Sequence, residues 1–157
     1  MKIKKHIGIV AHDNRKKDII EWVSFNWKEL VHHNLVCTGT TGKLIEEAIS
    51  DKCREYGVVP PTVSLLKSGP LGGDQQLGAL ICEGKVDMLI FFWDPMQPQP
   101  HDVDVKALLR IAVLYNIPTA SNRSTADFMV TSSLFHENYK PILKDYLSYI
   151  KRDVDLV

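Results

Sequence analysis

The sequence lacks any long uninterrupted apolar segment. Its best apolar run, Met88–Trp93, covers six residues, whereas a membrane-spanning helix needs about 20. The apolar stretch Ile7–Ala11 ends at His12 and Asp13, so it is too short for the core of a signal peptide. We therefore expect no membrane helix and no signal peptide, and we interpret Ile7–Ala11 as the first strand of a sheet.

Cysteines and surplus charge are also scarce. The 157 residues include three cysteines and no CxxC pair, which argues against a disulfide framework or a zinc knuckle. Each cysteine is expected to be a small core residue, and the expected compartment is the cytoplasm. Nineteen basic residues balance nineteen acidic ones, which argues against a general nucleic-acid binder. A local basic pocket for a small anion remains compatible with this balance.

The common nucleotide and metal motifs are absent as well. The chain contains neither GxxxxGK[ST] nor GxGxxG, so a nucleotide cofactor has little support. It also lacks HxH and HExxH, which leaves a zinc site with only weak support.

The pattern that is present is a regular alternation of apolar runs and helical stripes. We predict five strands: Ile7–Ala11, Leu35–Cys37, Thr62–Leu66, Met88–Trp93 and Ile117–Ala120. Helical spacing lies between them, and helical segments are expected from the last strand to the C-terminus. This order predicts an α/β fold, a doubly wound, mainly parallel sheet of five strands with helices on both faces. We expect residues 1–157 to form a single domain.

Polar residues follow four of the predicted strands, where parallel sheets bind ligands. Each group taken alone favours a turn or a helix cap, but the fold would bring all four to one edge. The groups are His12-Asp13 with Lys16, TGTTG at 38–42, SGPLGGDQQ at 68–76, and Asp94 with His101–Asp104.

The TGTTG segment offers hydroxyl groups and free N–H groups at the start of a helix, which suits a phosphate. Ser68 and Gly69 could supply a second wall, and Lys16 would add a positive charge. A small phosphate ester therefore fits this pattern better than a nucleotide.

Two residues near this edge have both a structural and a chemical interpretation. Asp74 follows Gly72-Gly73 and is either a helix N-cap or a general base. His101 is either an exposed loop histidine or a hydrogen-bond donor and proton shuttle. Asp102 or Asp104 could cap the next helix, and Asp104 could also orient His101. A metal held by His12-Asp13 and His101-Asp102 is a weaker alternative.

Five motifs resemble those of the methylglyoxal synthase family, and the resemblance extends from about His6 to about Tyr149. They are VAHD at 10–13, TGTTG at 38–42, SGPLGGDQQLGALI at 68–81, FFWDP at 91–95 and PHDVDVKALLR at 100–110. SGPLGGDQQ and the FFWDP…PHDVDVKALLR pair are highly specific, whereas TGTTG alone is not.

The resemblance implies a lyase that converts dihydroxyacetone phosphate into methylglyoxal and inorganic phosphate. Asp74 matches the catalytic aspartate and His101 the catalytic-site histidine. The substrate-binding positions match His12, Lys16, Thr38, Gly39, Thr40, Thr41, Ser68 and Gly69. Acidic residues around the site match Asp13, Asp94 and Asp104. The resemblance also implies a Rossmann- or flavodoxin-like fold, a homohexamer that needs no metal or cofactor, and inhibition by phosphate that is often cooperative.

Two regions depart from the family pattern, and two other functions remain open. The Ser50–Pro61 connection looks longer, and we expect a surface extension of the second helix. The family often has an arginine near its C-terminus that reaches the phosphate region, and Lys151 and Arg152 lie near that position of this chain. The alternatives are a non-catalytic phosphate-binding regulatory domain of the same fold and a metal-dependent phosphohydrolase.

Overall fold

A computed structural model describes residues 3–152 as one five-stranded sheet flanked by helices. The strands are β1 His6–Ala11, β2 Asn34–Thr38, β3 Val63–Leu66, β4 Met88–Phe92 and β5 Thr119–Ala120. They lie in the order β3-β2-β1-β4-β5, and every pair of neighbours is parallel. This confirms the predicted doubly wound fold, with a sheet that is parallel throughout these residues.

The helices cover both faces because side chains alternate along each buried strand. They are α1 Lys16–Phe25, α2 Trp27–Leu30, α3 Gly39–Tyr56, α4 Gly73–Cys82, α5 Asp102–Leu114, α6 Arg123–Val130 and α7 Leu147–Ile150. Met88, Ile90 and Phe92 of β4 join the apolar core with residues of α1, α3 and α6. Leu89 and Phe91 face the opposite side and join the core with residues of α4 and α5.

The strand order creates a switch point between β1 and β4. From β1 the chain proceeds outward through β2 to β3, and it then returns to the other side of β1 to form β4. The connections after β1 and β4 therefore diverge and leave a crevice at the carboxyl ends of these strands. His12 follows β1 and Asp94 follows β4 closely, so both predicted site residues lie at this crevice.

Three expectations are corrected by the structure. Residues 137–146 form no helix between the 3-10 turn Ser133–His136 and α7, because Pro141 and the polar segment around it give no helical stripe. Cys82 is exposed near the end of α4, whereas Cys37 and Cys53 are buried as expected. The helical stretch predicted between the first two strands is divided at Asn26 into α1 and α2.

The Ser50–Pro61 connection begins as an extension of α3, as expected. The helix continues to Tyr56 and ends where Gly57 adopts the left-handed conformation, with φ of 65°. Val58 and Val59 then follow on the surface. No helix within residues 3–152 is long and apolar enough to cross a membrane.

Candidate active site

A small cavity of about 100 Å³ lies at the carboxyl edge of the sheet. It collects side chains and backbone from the ends of β1, β2 and β3 and from the connection that follows β4. Its lining is Val10, Ala11, His12, Asp13, Lys16, Thr38, Gly39, Thr40, Thr41, Ser68, Gly69, Pro70, Asp74, Gln99 and His101. Both predicted catalytic residues and all eight predicted binding residues are therefore brought together.

A second cavity is larger but lies away from this chemistry. It measures about 460 Å³, is mainly apolar, and is situated beside Val86 and Met88 at the amino end of β4. It contains none of the predicted site residues, so we place the candidate site in the smaller and more polar cavity.

Asp74 is held in the cavity by two glycines at the start of α4. A Cβ on Gly73 would lie 1.9 Å from the Lys67 carbonyl oxygen, and Gly72 has a φ of 104°, so neither position accepts an ordinary side chain easily. Asp74 occupies the first turn and is only 2 % exposed. The N-cap interpretation is wrong, because Gly72 occupies that position.

The Asp74 carboxylate is poorly solvated for an ionisable group. Its Oδ2 atom has no hydrogen-bond partner within residues 3–152. Burial raises the pKa of Asp74 above its ordinary value; the nearby His101 opposes the rise and the negative charge of Asp104 adds to it. Such a carboxylate accepts a proton more readily than an exposed aspartate does.

His101 is also buried, so its interpretation as an exposed loop histidine is wrong. It occupies the N-cap position of α5 and is 9 % exposed. Its Nε2 atom lies 3.8 Å from Asp74 Oδ2, and its Nδ1 atom has no partner in the described part of the chain. A Cβ on Gly69 would lie 2.8 Å from His101 Nε2 and 3.3 Å from Asp74 Oδ2. The backbone of Gly69 therefore lies close to both groups, and a side chain at this position would collide with the imidazole.

His12 forms the third polar wall of the cavity. The Asp94 N–H donates to its Nδ1 atom at 3.1 Å, while its buried Nε2 atom has no partner among the residues described. The ring lies edge-on to the ring of His101, with centroids 5.8 Å apart. Burial, and secondarily His101, lowers the pKa of His12, which favours the neutral imidazole.

The start of α3 forms an anion cradle beside these three groups. Thr40 and Thr41 lie in its first turn, where backbone N–H groups have no intrahelical acceptor and the helix dipole is positive. Lys16 Nζ donates to Thr40 Oγ1 at 2.8 Å and pairs with Asp13 at 2.9 Å. Lys16 thus adds positive charge beside the cradle.

A close approach of two loops forms the wall of this cradle. Gly39 has a φ of 57°, and a Cβ there would lie 3.1 Å from the Cα and Cβ atoms of Ser68. The Gly39 N–H donates to the Lys67 carbonyl at 3.2 Å. A glycine at position 39 therefore lets the loops after β2 and β3 meet.

The three predicted acidic residues occupy different places around the site. Asp13 lines the cavity with a side chain that is 87 % exposed, and its hydrogen bond from Lys16 lowers its pKa. Asp94 and Asp104 lie outside the lining. The pKa of Asp94 is lowered, first by a hydrogen bond from Asn14 and then by one from the Met96 N–H. The Asp104 N–H donates to the His101 carbonyl at 2.9 Å.

Two further observations concern the weaker metal alternative and one lining residue that the sequence analysis did not include. No three His, Cys, Asp or Glu side chains within residues 3–152 are grouped as ligands for a metal ion, so the proposed His12-Asp13 and His101-Asp102 ligand set is not assembled. Gln99 lines the cavity but was not predicted as a site residue. Its only sequence signal is a polar residue between Pro98 and Pro100, two positions before His101.

The fold and the site together define an α/β protein in which the start of a helix and a lysine lie beside a buried carboxylate and two imidazoles. The profile of the MGS-like domain family matches residues 18–121. A methylglyoxal synthase from Maridesulfovibrio salexigens is 58 % identical over 151 residues, which cover 94 % of this chain and 96 % of the relative. One from Oleidesulfovibrio alaskensis is 54 % identical over 152 residues, covering 97 % of each.

A solved structure agrees with these relatives. The crystal structure of methylglyoxal synthase from Elizabethkingia anophelis superposes with a TM-score of 0.84 at 46 % identity, covering 98 % of this chain and 95 % of that one. The chain belongs to the methylglyoxal synthase family, which confirms the resemblance found in its motifs.

Proposed function

We propose that this protein is a lyase that converts dihydroxyacetone phosphate into methylglyoxal and inorganic phosphate. The observation that carries the proposal is the grouping of three buried polar atoms without partners in residues 3–152: His12 Nε2, Asp74 Oδ2 and His101 Nδ1. All three residues line the cavity that also contains the anion cradle. Buried polar atoms are normally hydrogen-bonded, so this grouping favours a polar ligand that completes their contacts.

In this proposal Asp74 is the general base. It removes a proton from the hydroxymethyl carbon of the substrate, next to the carbonyl group. Its buried environment raises its pKa, which strengthens it as a base, and a positioned base typically contributes about 10²–10⁴-fold in rate. We place the reacting carbon and its oxygen in the cavity next to Asp74 Oδ2 and His101 Nε2, where the absence of a side chain at Gly69 keeps both groups uncovered.

Proton removal moves negative charge onto the carbonyl oxygen and forms an enediolate. His101, and His12 through its Nε2 atom, would donate hydrogen bonds to the oxygens of this intermediate. Preorganised donors in a site that excludes water typically contribute about 10²–10³-fold each. Both rings are already held by the fold, so little rearrangement accompanies the reaction.

Elimination then depends on how the phosphoryl group is held. The enediolate expels phosphate only when the C–O bond to phosphate overlaps its π system, so the phosphoryl group must lie out of the enediolate plane. The first turn of α3, the Ser68–Gly69 wall and Lys16 would fix that conformer, which is an orientation effect. The positive cradle also stabilises the departing dianion, and the resulting enol becomes methylglyoxal by tautomerisation.

The experiment that tests this function is incubation with dihydroxyacetone phosphate in the presence of EDTA, with both products measured. The proposal predicts methylglyoxal and phosphate in equal amounts. Phosphate release without methylglyoxal, abolished by the chelator, would support a metal-dependent phosphohydrolase instead. Binding of phosphate with no turnover would support the non-catalytic regulatory domain.

Replacing Lys16 by alanine is expected to weaken phosphoryl binding more than it slows the chemical step. Lys16 contacts Thr40 at the cradle and supplies a positive charge there, so we expect KM and the inhibition constant of phosphate to rise about tenfold or more, with a smaller fall in kcat. Steady-state kinetics with and without added phosphate measure both constants. Lys17→Ala is the matched control, because Lys17 does not line the cavity. An unchanged KM and unchanged phosphate inhibition would contradict this role.

Replacing Asp104 by asparagine is expected to move the acid limb of the pH–rate profile to lower pH. The charge of Asp104 contributes to the raised pKa of Asp74, so its removal lowers that pKa and keeps the base ionised at lower pH. The measurement is kcat/KM as a function of pH for both proteins. An acid limb that stays in place, or moves to higher pH, would contradict the assignment of this limb to Asp74.

We also propose that the protein works as a homohexamer that phosphate inhibits. The support for the assembly is membership of the family, and the exposed apolar side chains of Leu71, Met96 and Val103 in segments that follow β3 and β4 are candidates for subunit contacts. Sedimentation of the purified protein measures the assembly.

Arg152 stacks on Tyr149 and does not line the cavity, so the contact expected for the Lys151–Arg152 segment stays a prediction.

A further inference from the structure

A chain of hydrogen bonds joins the ends of β1 and β4 at the switch point. The His12 N–H donates to the Phe92 carbonyl at 3.2 Å, and the Asp94 N–H donates to His12 Nδ1 at 3.1 Å. The chain continues to the next turn, where Asn14 Nδ2 donates to Asp94 Oδ2 at 2.9 Å. Asn14, which is outside the cavity lining, is thus connected to the His12 ring through Asp94.

These contacts determine which nitrogen of His12 carries the hydrogen. Because Nδ1 accepts from a backbone N–H, the neutral ring carries its hydrogen on Nε2. A doubly protonated ring would place an N–H group against the Asp94 N–H. His12 therefore presents a donor to the cavity. The titratable groups that face it are Asp13, Asp94, His101 and Asp102.

The carboxylate of Asp94 connects Asn14 to this arrangement. One oxygen, Oδ1, accepts from the Met96 N–H at 3.0 Å and closes a turn, and the other accepts from Asn14. Asp94 is 5 % exposed. The direction of its backbone N–H toward His12 is thus fixed by a turn whose carboxylate is tied to the 3-10 turn Asp13–Arg15.

We propose that Asn14 is a positioning residue for the reaction, acting through the Asp94 carboxylate to hold the Asp94 N–H against His12 Nδ1 and so to keep the Nε2–H donor of His12 in the substrate cavity. This inference rests on the proposed function, because it assigns His12 a donor role toward the same substrate. The contribution of Asn14 is geometric, so it depends on a donor facing an acceptor and not on which of the two side chains carries the charge.

The test exchanges the two side chains. In Asn14→Asp two carboxylates face each other, and we expect kcat/KM to fall about tenfold near neutral pH. In Asp94→Asn we expect a smaller fall in kcat/KM, because the amide of Asn14 can turn and present its oxygen to the new amide group at position 94. The double variant Asn14→Asp/Asp94→Asn restores an amide donor opposite a carboxylate and keeps an oxygen for the Met96 N–H. We expect its kcat/KM to return to within about threefold of the unmodified protein.

The pH dependence of the single variant separates positioning from a general loss of structure. Two facing carboxylates share a proton at low pH, which restores the hydrogen bond. The ratio of kcat/KM of Asn14→Asp to that of the unmodified protein should therefore rise as pH falls from about 8 to about 5. Arg15 also interacts electrostatically with Asp94, but it is present in both proteins and so does not change this ratio. Asn26→Asp is the matched control, because Asn26 donates to the Trp22 carbonyl at the far end of α1, and its ratio should stay constant.

The ¹⁵N shifts of the His12 ring provide a readout independent of activity. We expect an unprotonated Nδ1 and a protonated Nε2 in the unmodified protein and in the double variant, and partial averaging of the two nitrogens in Asn14→Asp. A double variant no more active than Asn14→Asp, or a His12 ring with Nδ1 protonated, overturns the inference. A protein that forms no methylglyoxal contradicts the proposed function instead, and the ring shifts still decide the role of Asn14.

Discussion

Asp74→Asn is expected to lower kcat/KM by about 10³-fold or more while leaving phosphate binding within about twofold. The asparagine has nearly the same shape, so the cavity, the cradle at Thr40 and Thr41 and the contact of Lys16 persist. The group that accepts the proton is lost. Steady-state kinetics and titration with inorganic phosphate measure the two effects, and a variant with near-normal kcat would refute Asp74 as the base.

The same substitution is expected to stabilise the fold at neutral pH. Burial raises the pKa of Asp74 in the folded protein, so the folded state binds a proton more tightly than the unfolded chain does. Stability from this group is therefore present below the ordinary aspartate pKa and declines as pH rises toward and through the raised value. Asp74→Asn removes that loss, and Tm should rise by about 2–4 °C for each kcal/mol regained.

Thermal unfolding at two pH values tests whether Asp74→Asn raises Tm at neutral pH. The gain in Tm should be clear near pH 7 and should shrink as pH falls below about 4, where the carboxyl is protonated in both states. Asp51→Asn is the matched control, because Asp51 is exposed and pairs with Arg54 on the surface. A lower Tm for Asp74→Asn at neutral pH would show that the carboxylate stabilises the fold, contrary to this account.

Gly69→Ala is expected to lower kcat/KM by about 100-fold or more with little change in Tm. The added Cβ would lie 2.8 Å from His101 Nε2 and 3.3 Å from Asp74 Oδ2, so it displaces the imidazole and crowds the carboxylate that the reacting atoms must approach. Misplacement of a reacting group by about 1 Å costs rates of this order. Kinetics together with thermal unfolding separate loss of the site from loss of the fold.

Gly78→Ala is the control for this substitution. Gly78 lies within α4, and the nearest atom to an added Cβ is Leu108 Cδ1 at 4.0 Å. This variant should keep full activity and gain some helix stability. If Gly69→Ala is as active as Gly78→Ala, the space beside Asp74 and His101 is not where the reaction occurs.

The parts of the fold that the sequence predicts well are those in which burial leaves a strong local pattern. β4 is continuous and apolar because both faces of a central parallel strand are covered, and its predicted end differs from the observed one by one residue. β5 has only two residues, whereas the sequence predicts a strand of four, Ile117–Ala120. Residues 137–146 have no regular pattern, and the expectation of helix there was wrong.

Some features of the candidate site could likewise be predicted from local sequence, and others could not. Glycines, hydroxyl groups and carboxylates after successive strands are visible in the sequence because the parallel fold sends them to one edge. The burial of His101 and the contact between Asn14 and Asp94 are not visible, because they depend on β1 lying next to β4. Asn14 and Asp94 are 80 positions apart in the chain, and no local sequence pattern connects them.

The central claim is that one pocket holds the phosphoryl group at the α3 cradle and the reacting carbons next to Asp74 and His101. A crystal structure with a planar carboxylate analogue of the enediolate, a phosphorylated two-carbon acid, tests it most directly. We predict the phosphoryl oxygens at the N–H groups of Thr40 and Thr41, and the carboxylate within hydrogen-bond distance of His101 and against Asp74. An analogue bound elsewhere, or with its carboxylate in the cradle and its phosphoryl group beside Asp74, would contradict the account.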